Sequence, residues 1–76
     1  MNTGEWAEKI ERLTEVTERF IAEYKSAKDQ RRIGLKEDFY IRCCGILQVL
    51  NDENGVATEQ LIKLHVNSVC CTLKSN

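Results

Sequence analysis

Apolar residues recur along the chain at spacings of three and four, the period of an α-helix, and no run alternates strictly in the manner of a strand. In the first segment Trp6, Ile10, Leu13, Thr17, Phe20, Tyr24 and Ala27 form a heptad stripe, with Ile10, Thr17 and Tyr24 at a and the others at d. Val16 and Ile21 widen the stripe toward the broader face of a bundle helix. The pattern predicts a long first helix over residues 4–32, with Thr3 as N-cap and Glu5 near the positive end of the dipole. Its outer face carries the i,i+4 pairs Glu5–Lys9, Glu8–Arg12 and Glu15–Arg19, each worth about 0.2–0.5 kcal/mol.

Gly34 is the predicted end of that helix, in a left-handed cap with Leu35 packing back. A second helix is expected over residues 36–51, with Glu37 and Asp38 in its first turn. Asn54-Gly55 is the clearest turn signal, and Thr58 is the expected N-cap of a third helix over residues 58–74. At about 100° per residue, the apolar positions of the second helix spread over roughly 220° and those of the third over roughly 180°. A surface helix needs a stripe of about 100°, so each should have more than one packing partner. The first helix supplies one face, and a second copy of the chain is the simplest source of another. The expected fold class is therefore all-α. It is a small helical bundle in one domain, residues 1–76, with a long N-terminal helix and a two-helix hairpin, completed by oligomerisation.

Composition agrees. The 76 residues include no proline, 42% are hydrophobic and 30% charged, as in folded soluble proteins. A chain this short buries only about 60% of its unfolded surface, which again favours association. No apolar run approaches the ~20 residues needed to cross a bilayer. The opening stretch, acidic and polar, does not resemble a secretory signal, so a cytoplasmic location is expected.

Net charge is −1, but unevenly distributed. Residues 1–23 hold six acids and three bases, and residues 24–42 hold six bases and three acids. The near-neutral total argues against bulk nucleic-acid binding. The basic segment contains Lys25, Lys28, Arg31, Arg32, Lys36 and Arg42, flanked by Tyr24 and Tyr40. One reading is a solvated helix end, where cations meet the C-terminal dipole. The other is a surface for an anionic ligand or a partner, formed by Tyr24, Lys28, Arg31, Arg32, Lys36, Tyr40 and Arg42, with tyrosines available for stacking.

Other chemistry is sparse. Cys43-Cys44 and Cys70-Cys71 are vicinal pairs, and neighbours on a helix point about 100° apart, which does not suit one tetrahedral ion. Folding back at Asn54-Gly55 sets Cys43 near Val66 and about one turn from Cys70, beyond disulfide reach. Buried, reduced thiols are expected, with no metal or cofactor. His65, the single histidine, lies on the apolar arc of the third helix and is read as an interface residue. Trp6 is either a core d residue or an exposed interface anchor. No spacing suggests a catalytic pairing, a dinucleotide fingerprint or a P-loop, so no enzyme activity is expected. Thr58–Lys74 superficially suggests a helix-turn-helix, but Ile62, Val66, Val69 and Leu73 keep phase through the supposed turn. The leading expectation is a small homo-oligomeric interaction protein that binds and modulates a larger partner. The alternatives are a binder of an anionic ligand or nucleotide at the basic joint between subunits, and a weak DNA-binding regulator.

Overall fold

A computed structural model describes residues 3–49 and 54–74. Three helices account for nearly all of them: α1 (Thr3–Ser26), α2 (Asp29–Leu47) and α3 (Gly55–Lys74). They form a small all-α bundle, and no strand occurs among the described residues. The chain runs up, down and up, with α2 in the middle packing against α1 on one side and α3 on the other.

This arrangement accounts for the breadth of the apolar arc on α2. Phe39, Cys43, Cys44, Ile46 and Val49 are buried, and Leu35, Tyr40 and Leu47 are partly buried against them. Two neighbours within one chain cover what a single neighbour could not. Leu50, expected on the same arc, and Asn51, the expected end of the helix, lie outside the described residues. The third helix is less fully covered. Ile62, Val66 and Cys70 enter the core, while Leu61 and Leu64 each remain 66% exposed. α3 is one unbroken helix, as the phase of its apolar residues requires, and not a helix-turn-helix.

The joint between α1 and α2 lies at Ala27-Lys28, not at Gly34. Neither residue is a helix breaker, so local propensity gives no warning. The break arises from competing bonds. Ser26 Oγ donates to the carbonyls of Ala22 and Glu23, and the Arg32 side chain donates from Nε to the Tyr24 carbonyl at 3.1 Å. Lys28 turns extended, at φ −80° and ψ 162°, and its carbonyl accepts from the Arg32 backbone N–H. Gly34 is then an interior residue of α2, and no described glycine has positive φ.

The left-handed cap belongs instead to Gln48, at φ 54° and ψ 45°, whose N–H reaches the carbonyls of Cys44 and Gly45. The Asn54-Gly55 signal marks the entry to α3. The Asn54 carbonyl accepts from the Thr58 N–H, so Thr58 lies inside the first turn and is not the N-cap. Gly55 is required by close approach, since a Cβ there would collide with the Val49 carbonyl oxygen. Thr3 likewise falls inside α1 and not ahead of it.

Glycine substitutions test this layout. A Cβ on Gly34 meets no atom within 4 Å, so Gly34→Ala should stabilise the fold by about 0.5–1 kcal/mol. Gly55→Ala should destabilise it, because backbone must move. Thermal melts of the two variants check both signs; destabilisation by Gly34→Ala would restore the joint to Gly34.

Candidate functional site

The apolar stripe of α1 is not uniformly used. Phe20 and Tyr24, toward its C-terminal end, are buried at 4% exposure each. Leu13, Val16, Thr17 and Ile21 are half-buried. Trp6 and Ile10 are 52% and 46% exposed, so the first turns carry the pattern of a buried helix without being covered by the described residues. Trp6 is thus an exposed residue and not a core one.

These positions form one wall of a groove of about 750 Å³. Trp6, Ile10 and Leu13 of α1 face Leu61, Ile62 and His65 of α3 across it, with Cys43 and Leu47 of α2 as the floor. Lys9 and Glu18 supply charge of opposite sign on the α1 side. His65 is exposed on this wall, and its ring lies 6.2 Å from that of Phe39. Ile10, Leu13 and Leu61 complete the groove but were not singled out by the sequence. Their shared periodicity marked them only as core.

The seven residues of the basic segment do not form a single patch. Tyr24 is buried, with the Arg32 guanidinium 4.8 Å above its ring, and offers no free face for stacking. Arg32 is committed to the joint through that contact, its bond to the Tyr24 carbonyl and an ion pair with Asp29 at 3.7 Å. Lys28 and Arg31 are exposed beside it. Lys36 and Tyr40 line the α2–α3 side, whereas Arg42 lines the α1–α2 side with Val16 and Arg19.

Tyr40 ties α2 to α3. Its hydroxyl donates to Glu59 Oε1, and Lys63 pairs with Glu59 at 3.6 Å while lying 5.9 Å from the Tyr40 ring. The donated hydrogen bond, more than Lys63, holds the Glu59 carboxyl below its ordinary pKa. The same bond, followed by burial, pushes the Tyr40 phenol well above its ordinary value.

Cys43, Cys44 and Cys70 are buried thiols, and Cys71 is exposed. Burial, then the neighbouring Cys44, pushes Cys43 up to about 11, and burial raises Cys70. No group of three or more His, Cys, Asp or Glu that could hold a metal occurs among the described residues. No helix among them is long and apolar enough to cross a membrane. No family model, no curated protein and no solved structure matches this chain significantly.

Two expectations follow. Arg32→Ala should destabilise the protein by about 1–3 kcal/mol through loss of a charge-assisted hydrogen bond and the ring contact, while exposed Arg31→Ala should change stability by less than about 0.5 kcal/mol. Denaturant melts of the pair check this, and equal effects would remove the joint role from Arg32.

The Tyr40–Glu59 link has its own pH signature. A carboxyl with a lowered folded-state pKa contributes fully above its unfolded value, about 4.3, and loses that contribution as pH falls through the folded value. A phenol with a raised pKa contributes fully below about 10 and loses its contribution as pH rises through the folded value. The Tm difference between wild type and Glu59→Gln should therefore be flat from about pH 5 to 9 and shrink below about pH 4. A difference that grows on acidification would contradict the assignment.

Proposed function

We propose that this protein works by binding polypeptide, as a homo-oligomeric helical interaction protein whose α1–α3 groove accepts α1 of a second copy. The exposed Trp6 and Ile10 beside that groove are the observation that carries the reading. An amphipathic helix laid into an apolar groove is a common recognition mode, read through anchors at helical spacing, and Trp6, Ile10, Leu13 and Thr17 have that spacing.

The uncovered apolar stripe of α1 beside an apolar groove favours a copy of the same chain, which supplies both the helix and the groove. Lys9 and Glu18 stand on opposite edges of the stripe formed by Trp6, Ile10, Leu13 and Thr17, about 180° apart around α1. A twofold axis near Leu13 and Thr14 would set two α1 helices antiparallel, with their Trp6, Ile10, Leu13 and Thr17 stripes against each other. Such an isologous contact is self-complementary and closes on itself. In this reading the oligomer is the working unit, and its remaining surface binds and modulates a larger partner.

The experiment places charge on the apolar stripe and on the facing wall of the groove. Wild type should show a mass above 8.8 kDa by light scattering and a Tm that rises with concentration. Trp6→Glu with Ile10→Glu should weaken association while the helical spectrum is kept. Leu61→Glu should give a helical monomer. A wild-type mass of 8.8 kDa at high micromolar concentration would defeat the proposal.

A further inference from the structure

At the opposite end of the bundle the C-termini of α1 and α3 meet the N-terminus of α2 around an open pocket of about 440 Å³. Tyr24 and Leu73 form its apolar part, and Lys25, Arg32 and Lys74 supply one cation from each helix. Among the described residues no carboxylate lines it. Asp29, which pairs with Arg32 at 3.7 Å, is fully exposed and is not among the lining side chains.

Cations collect at helix C-termini to offset the dipole, so their presence alone does not define a site. Here the Ala22, Glu23 and Tyr24 carbonyls near the end of α1 already have donors other than lysine. Ser26 Oγ serves Ala22 and Glu23, and the Ala27 N–H and Arg32 Nε serve Tyr24. Lys25 is left without a carbonyl to satisfy at these positions, and neither Lys25 nor Lys74 forms an ion pair with any described residue. Three like charges converging on one concavity repel one another, and a multiply charged anion would relieve that repulsion.

We infer that the pocket framed by Lys25, Arg32 and Lys74 binds a small phosphate-bearing polyanion. The recognised part is the phosphate chain. Tyr24 is buried beneath Arg32, so no ring is open for a nucleobase to stack upon. With Nε bonded to the Tyr24 carbonyl and Nη1 paired with Asp29, Arg32 has Nη2 left to meet a phosphate oxygen, and the two lysines act as mobile point charges. The pocket is distinct from the apolar groove and independent of the oligomer proposed for it.

Inorganic pyrophosphate is the probe, titrated into the full chain by calorimetry and followed by amide NMR. Saturable binding is expected below about 1 mM, with shifts at Tyr24, Lys25, Arg32, Leu73 and Lys74. Lys25→Gln with Lys74→Gln should keep the helical spectrum and lose at least about tenfold in affinity. Arg12→Gln with Arg19→Gln removes the same charge from an exposed face of α1 and should leave affinity unchanged. The inference is overturned by no binding, by shifts confined to other residues, or by equal losses in the two double variants. Sedimentation with phosphatidic acid vesicles that pyrophosphate cannot reverse would also overturn it.

Discussion

The stacking of Phe20 on Phe39 holds the bundle together. The rings lie 4.4 Å apart at 13° and join α1 to α2. Phe39, at 1% exposure, also brings α2 against α3 through its contact with the ring of His65, and Tyr24 tilts onto Phe20 from one turn further on. A chain this short has few side chains large enough to fill the space between three helices. Placing the largest of them on the central helix lets one residue serve two interfaces. The positions of Cys43, Cys44 and Cys70 follow from the same geometry, since these small apolar side chains fill the space around the rings.

The helical class, the number of helices and most of the core were legible in the sequence. Period 3.6 is a strong signal over segments of this length, and Phe20, Phe39, Cys43, Ile62, Val66 and Cys70 all fall on the expected faces. The α1–α2 joint was not legible. Gly34 is the kind of residue that ends helices, and Ala27-Lys28 is not, yet the chain breaks at the latter because Arg32 and Ser26 compete for carbonyls there. A side chain eight residues downstream leaves no trace in local propensity. The breadth of the α2 arc was correctly seen, but much of it is covered within the chain. The need for a second copy, read from that arc, now rests on Trp6, Ile10 and Leu61.

The candidate surfaces were legible only in part. Trp6 and His65 do share a groove, but they reach it from opposite walls that the sequence could not bring together. The basic segment divides once it is wound into α2: Lys36 stands about 140° from Arg31 around the axis, and Arg42, though within about 20° of Arg31, is three turns further along it. The cation that completes the pocket at Arg32 is Lys74, which belongs to a segment with little basic character of its own. The apolar groove lies at one end of the molecule and the pocket of Lys25, Arg32 and Lys74 at the other. The two ends meet different kinds of surroundings.

The up-down-up connectivity has a kinetic meaning. Each helix packs mainly on its neighbour in sequence, so few contacts require closure of a long loop. Chains of this kind fold in microseconds to milliseconds. The hairpin of α1 and α2, closed by a two-residue joint, can form while α3 is still emerging from synthesis. Its exposed flank on α2 then waits for α3, and until α3 docks the buried face of Cys43 and Cys44 is open to solvent and to oxidants. The folding chain is thus chemically most vulnerable in the brief interval before the twenty residues of α3 settle.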